Sequence, residues 1–157
     1  MLEWLLRARH IQHLVGGARK YYLPTSVEFL KGEECFWIPE GDPVSILQVW
    51  EEDLVSQIKY GYGFAFQARQ VMVCRGGVIE VDLSDGLKTE RVSLAYGHVL
   101  YIPPGLWFSY FTKSVGLKQR NQGRVQTFTD ADLKNSGWFC RMSPHDYTVF
   151  RNNMQRG

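Results

Sequence analysis

The sequence predicts an all-β sandwich or barrel in a single domain. Three observations carry this. From about residue 20 the chain breaks into short runs rich in aromatic and β-branched residues, most of them closed by Gly, Pro or Asp. No helical pattern of the length a βαβ crossover needs separates these runs, which argues against a parallel sheet. Aromatic residues make up 14% of the 157 residues, a density that suits a sheet-rich protein with a lined interior.

Composition narrows the class further. Hydrophobic residues at 45% and charged residues at 22% give an ordinary globular balance. A net charge of +2 carries no strong field toward nucleic acid or a membrane surface. Cys35, Cys74 and Cys140 are three and far apart, without a C-x-x-C pair, so no disulfide framework is expected. Such usage fits a reducing compartment, and the expected location is cytoplasmic. No apolar run is long enough to span a bilayer. The opening "MLEWLLRARH" lacks the charge, apolar and small-residue order of a signal peptide.

Taken in order, residues 1–18 read as an N-terminal helix. Leu2, Leu5, Leu6, Ile11, Leu14 and Val15 roughly share one side, and Gly16-Gly17 supplies the stop. This helix packs on its own domain or a partner subunit, or else lies at a membrane interface through Trp4, Arg7 and Arg9. Residues 20–112 form the β core. Their runs are "KYYLPTSVEFL", "ECFWIPEG", "PVSILQVW", "QIKYGYGFAFQ", "QVMVCRGG", "VIEVDLSDG", "KTERVSLAYG" and "HVLYIPP". Asp85-Gly86 is a hairpin turn, with Ile79, Val81 and Leu83 on one face of the outgoing strand and Val92 and Leu94 returning. Residues 113–157 form an extension. It opens with a polar, basic loop or weak edge hairpin carrying Lys118, Arg120 and Arg124. Two short helical turns follow, one capped by Thr129 and stopped at Gly137, the other opened by Ser143-Pro144.

Segment 61–110 resembles the small cupin barrels of the nucleotide-sugar 3,4-ketoisomerase group, which act on dTDP-4-keto-6-deoxyglucose. "QVMVCRGGVIEVDLSDG" is similar to that family's strand, Gly turn, strand and Asp-Gly hairpin. "LYIPPGLW" is similar to its strand running into Pro-Pro-Gly and Trp, and "HDYTVF" is a fainter echo of its end. The resemblance covers about a third of the chain and implies a cupin-like jelly-roll barrel that pairs as a homodimer. "GYGFAFQ" sits where the family has Gly followed by His-Ala-His and a basic residue. Phe64 and Phe66 stand at the two histidine positions, Gln67 at the basic one, and Phe108 where a further His follows the Trp. A phenyl ring neither takes nor gives a proton, so acid/base catalysis by these positions is excluded. The same changes remove the imidazoles a metal would use, and no metal or cofactor is expected.

The candidate ligand contacts are Tyr62, Phe64, Phe66, Arg69, Arg75, Tyr101, Trp107 and Phe108. Tyr60, Tyr62, Phe64 and Phe66 alternate, so an unbroken strand would line them on one face as a stacking wall or as plain core. Arg69 and Arg75 flank "QVMVC" and are suited to a diphosphate at a barrel mouth, or are simply solvated charges. Trp107 and Phe108 follow a turn stiffened by Pro103 and Pro104. If any catalysis persists, its candidates are Tyr60, Tyr62 and His98, with His98 equally readable as a hydrogen-bonded structural residue. His10 and His13 lie three apart on the expected helix without a third ligand. Cys74 reads as an inert apolar thiol. No G-x-S-x-G, P-loop or G-x-G-x-x-G motif occurs.

Three functions follow. The first is a nucleotide-sugar or carbohydrate binder without catalysis. The second is an isomerase or epimerase using other residues. The third is a structural subunit whose barrel is filled by its own rings. No nucleic-acid partner and no membrane span are expected.

Overall fold

The computed structural model describes residues 9–22, 35–37, 43–46, 48–54, 60–64, 69–112 and 123–130. Twelve strands are found among them: β1 (Arg9–His13), β2 (Arg19–Tyr22), β3 (Cys35–Trp37), β4 (Pro43–Ser45), β5 (Gln48–Asp53), β6 (Tyr60–Phe64), β7 (Gln70–Gly76), β8 (Ile79–Ser84), β9 (Thr89–Leu94), β10 (His98–Ile102), β11 (Trp107–Thr112) and β12 (Arg124–Thr129). All pairings are antiparallel. One sheet runs β1-β2-β10-β7-β12-β5, a second β6-β11-β8-β9, and β3 pairs with β4 as a two-stranded ribbon. The all-β expectation holds. Neither large sheet closes on itself among the described residues.

The expected N-terminal helix is not what residues 9–18 form. Arg9–His13 is a strand, paired with β2 through a 3-10 turn over Val15–Gly17. The Gly-Gly pair that reads as a helix stop is a reversal between two strands. Gly16 sits at φ 66° and Gly17 at φ 88°, a region open to glycine at no steric cost. A Cβ at Gly16 would also overlap the Leu106 side chain. Leu14, Val15 and Ala18 are buried beside the turn. Leu14 and Val15, two of the residues whose spacing suggested a helix, therefore anchor a turn. His10 and His13 lie on a strand with a bulge between His10 and Gln12, so the helical argument for bringing their imidazoles together falls away. Residues 1–8 lie outside the described residues.

The hairpin of β8 and β9 follows the sequence closely. Ile79 faces Leu94, Val81 faces Val92 and Leu83 faces Glu90. Asp85 Oδ1 accepts from the Leu87 and Lys88 amides, each at 2.8 Å, and Gly86 takes φ 93°. The opposite face of β8 is buried as well, and its charges are paired. Asp82 accepts from Arg91 Nε at 2.7 Å and Nη2 at 3.1 Å, and Glu80 accepts from the Ser93 hydroxyl.

Two further strands were not anticipated. Trp107–Thr112, read as rings after a turn, is β11 at the centre of the four-stranded sheet between β6 and β8. Arg124–Thr129 is β12, which bridges β7 and β5 in the six-stranded sheet. Its residues are buried from Val125 to Thr129, so the in/out alternation that marks a half-exposed strand is muted. Thr129 ends this strand. The helical turns expected beyond it, and the loop at 113–122, lie outside the described residues.

The main core lies between the two large sheets. Ile79, Val81, Leu83, Val92, Leu94, Phe108 and Tyr110 come from the smaller one. Met72, Cys74, Leu100, Ile102 and Val125 come from the larger. The other face of the larger sheet is also buried at Tyr21, Val71, Val73, Val99, Tyr101 and Phe128. No helix among the described residues is long and apolar enough to cross a membrane.

Candidate functional site

The inter-sheet face carries a polar cluster as well as the apolar core. β5 places Trp50 and Glu52 two residues apart, on the side of the sheet shared with Thr127 and Val125. Glu52 Oε1 accepts from Trp50 Nε1 at 2.8 Å. The Tyr110 hydroxyl, projecting from β11 in the opposing sheet, lies 2.8 Å from Glu52 Oε1 and 2.9 Å from Oε2. One proton is shared over both oxygens, and the contact fixes the distance between the sheets at this point. The Tyr110 ring stacks against Phe108, with centroids 6.1 Å apart and planes 11° from parallel. Phe108 is 3% exposed. The position where the resemblance would place an imidazole is thus occupied by a ring that braces the tyrosine.

At the other end of the same face, β7 places Gln70 beside Ile102 of β10 and Thr129 of β12. Gln70 is 1% exposed and its Oε1 has no hydrogen-bond partner among the described residues. A buried carbonyl oxygen without a donor is costly and asks for a donor from elsewhere.

The other predicted site residues are not gathered there. Trp107 is buried on the far face of the smaller sheet, level with Ser84 and Phe64. Tyr101 lies on the far face of the larger sheet, where the Arg19 guanidinium stands 5.6 Å from its ring centroid. Burial raises the Tyr101 hydroxyl above its ordinary pKa, opposed by the nearby Arg69 and Arg19 charges. Arg69 donates its backbone amide to Asp130 Oδ1 at 2.6 Å and its Nε to Oδ2 at 2.9 Å. Arg75 pairs with Glu51 across β12, and Arg124 with Asp53 at 2.9 Å. All three arginines are therefore engaged by carboxylates.

β6 brings Tyr60 level with Tyr110 and Phe64 level with Trp107, and the register slips at Tyr62. Tyr110 and Trp107 belong to opposite faces of the sheet, so the run 60–64 does not keep one unbroken period of two. The side chains of Tyr60, Tyr62 and Phe64, and all of Phe66, lie outside the described residues.

His98 is a turn-closing residue. Its Nδ1 accepts from the Ala95 amide at 2.8 Å, and its ring meets Tyr22 edge-on at 5.9 Å. Burial and then the Lys20 charge hold its pKa below the ordinary imidazole range. Cys74 is fully buried and its thiol is pushed up to about 11 by burial, partly offset by the Gly76 carbonyl. Among the described residues no three His, Cys, Asp or Glu side chains come together as a metal-binding group.

Comparison with solved structures places this architecture. Sugar 3,4-ketoisomerase QdtA from Thermoanaerobacterium thermosaccharolyticum, in complex with TDP, superposes with a TM-score of 0.61. It is 16% identical, over 88% of this chain and 98% of that one. The chain shares the fold of the sugar 3,4-ketoisomerases. The TDP-quinovose 3,4-ketoisomerase WlaRB from Campylobacter jejuni gives a TM-score of 0.58 at 18% identity, covering 92% and 95% of the two chains. NovW, a 4-keto-6-deoxy sugar epimerase from Streptomyces spheroides, gives 0.65 at 12% identity, covering 87% and 74%. A QdtA variant is solved with TDP-4-keto-6-deoxyglucose. No family model matches the chain, and no curated protein matches it in sequence. Within the ketoisomerase fold, Glu52, Tyr110, Trp50 and Gln70 are residues that sequence reasoning passed over. Only the Trp-x-Glu spacing in "QVWEED" hinted at a shared face, and nothing local links position 52 to position 110.

Proposed function

We propose that this protein binds a nucleotide sugar of the dTDP-hexose type between its two sheets, without histidine acid/base catalysis. The observation that carries this is Phe108. In a fold whose solved relatives are dTDP-sugar isomerases and epimerases, this chain places a buried phenyl ring against Tyr110, where the motif resemblance calls for an imidazole. Phe64 and Phe66 make the same replacement in sequence. A site that keeps the architecture but lacks those proton carriers is suited to holding a sugar nucleotide rather than converting it. The two sheets are read as the walls of a cupin-like jelly roll, in a cytoplasmic homodimer.

Thermal-shift titration tests the reading. Millimolar dTDP-glucose should raise Tm by several degrees through ligand linkage. No shift with dTDP, dTDP-glucose or any other sugar nucleotide would leave an aromatic-filled structural subunit as the better account.

A further inference from the structure

We propose that Arg69, Arg19 and the Tyr101 hydroxyl form a binding site for a phosphate group on the far face of the six-stranded sheet, turned away from the inter-sheet core. Four neighbouring strands bring the site together. Arg19 of β2 stands opposite Tyr101 of β10, and Tyr101 stands opposite Val71 of β7. Arg69 precedes Val71 by two residues and so shares its face. Asp130 follows β12 and extends the ladder, donating its amide to the Arg69 carbonyl at 3.3 Å. Two cations, one phenol and one carboxylate thus meet at one end of the sheet, where the Pro103-Pro104-Gly105 turn leaves β10.

Asp130 orients Arg69 without using up its donors. Its Oδ2 accepts from Arg69 Nε at 2.9 Å, and its Oδ1 accepts from the Arg69 amide at 2.6 Å. The remaining N–H donors of the guanidinium, on Nη1 and Nη2, make no hydrogen bond among the described residues. The Arg69 side chain is 37% exposed against 13% for Asp130, so the guanidinium reaches further into solvent than its carboxylate. The Arg19 guanidinium stands 5.6 Å from the Tyr101 ring centroid. Tyr101 is 6% exposed, and its hydroxyl has no hydrogen-bond partner among the described residues. Burial raises the pKa of that hydroxyl, and the Arg69 and Arg19 charges oppose the rise, so both cations lie near one oxygen. Donors without an acceptor, beside two cations and one carboxylate, select an anion. A guanidinium fork and a hydroxyl converging from neighbouring strands match the several oxygens of a phosphate group, which makes phosphate the fitting class. The site does not depend on what the inter-sheet face holds.

The test is a thermal-shift titration of the full chain at constant ionic strength, with potassium phosphate replacing potassium chloride in one arm and dTDP added in the other. Wild-type Tm should rise by several degrees with phosphate and saturate with an apparent Kd on the order of 1 mM. Tyr101→Phe keeps the ring beside Arg19 and removes only the hydroxyl, and should raise that Kd about fivefold. Arg69→Lys keeps a cation beside Asp130 but removes the fork, and should raise it about tenfold. Both variants are conservative enough to fold. Arg124→Gln is the control. Arg124 pairs with Asp53 at the opposite end of β12, and this variant should keep the wild-type Kd. The general stabilisation by phosphate as an excluded salt is common to all four proteins and does not saturate at millimolar concentration. The dTDP arm identifies the source of the group. A dTDP response weakened by the same two variants assigns the site to the diphosphate of a nucleotide. A phosphate response weakened by them, with the dTDP response unchanged, assigns it to free phosphate or a small phosphate ester. No saturable response to either ligand in wild type, or wild-type Kd values for both in folded Tyr101→Phe and Arg69→Lys, overturns the proposal and makes the two arginines solvated surface charges. Binding of dTDP-glucose that persists in both variants leaves the nucleotide-sugar reading standing in that case.

Discussion

The Tyr110 hydroxyl and the Glu52 carboxylate, 2.8 Å and 2.9 Å apart at the two oxygens, join the four-stranded sheet to the six-stranded one. The two positions are 58 residues apart in the chain, so this single contact ties the order of the core to the geometry of the proposed site. Removing the hydroxyl in Tyr110→Phe keeps the ring on Phe108 and should cost about 1–2 kcal/mol of stability. Glu52→Ala removes the acceptor for both Trp50 and Tyr110 and should cost about 2 kcal/mol. Chemical denaturation with unchanged m-values checks both. Wild-type midpoints in both variants would show that the contact contributes nothing.

The Gly16 turn is a second point of constraint. A side chain there meets both a positive φ and the Leu106 side chain. Gly16→Ala should therefore destabilise by about 2 kcal/mol, which for a chain of this length lowers Tm by about 4–8 °C. Gly17→Ala has the same φ problem, but its nearest neighbour is Pro103 Cγ at 3.8 Å, so it should cost less. Equal losses in the two variants would remove packing against Leu106 from the explanation.

Much of this fold was legible in the sequence, and the exceptions have physical causes. The Asp85-Gly86 hairpin was read correctly because its turn chemistry is local and its inward face strictly alternates. β12 was missed because both of its faces are buried, which flattens the period-two signal. The N-terminal strand was mistaken for a helix because Leu14 and Val15 pack inward from a turn, and their spacing imitates a helical stripe. The site was less legible. Phe108 could be singled out from its neighbours "PPGLW", but Glu52 and Tyr110 meet only through the packing of one sheet on the other, which no short motif encodes.

His98 should make stability depend on pH. Its folded-state pKa is below the free value of 6.5 because of burial and Lys20. The unfolded chain therefore binds more protons near and below pH 6.5, and the stability His98 contributes is present above that pH and lost as pH falls toward the folded value. Protonation also ends acceptance from the Ala95 amide. Tm measured from pH 7.5 down to 5 should fall more steeply in wild type than in His98→Gln. Parallel profiles would contradict this.

Cys74 should be silent toward thiol reagents while the protein is folded. With its thiol at about 11, about one molecule in a thousand carries the thiolate at pH 8, and the sulfur is fully buried. Mass spectrometry after iodoacetamide treatment should find the Cys74 peptide unmodified in native protein and alkylated after denaturation. Native alkylation at a rate near that of free cysteine would contradict the burial.

The central claim is that this ketoisomerase-like fold holds a nucleotide sugar without exchanging its protons. Proton NMR of dTDP-4-keto-6-deoxyglucose in D2O with the protein present tests it in one measurement. The account predicts saturation transfer from protein to the hexose protons, and full retention of the proton signal at the carbon next to the ketone relative to buffer alone. Loss of that signal through deuterium incorporation would contradict it and show that proton transfer persists without the histidines.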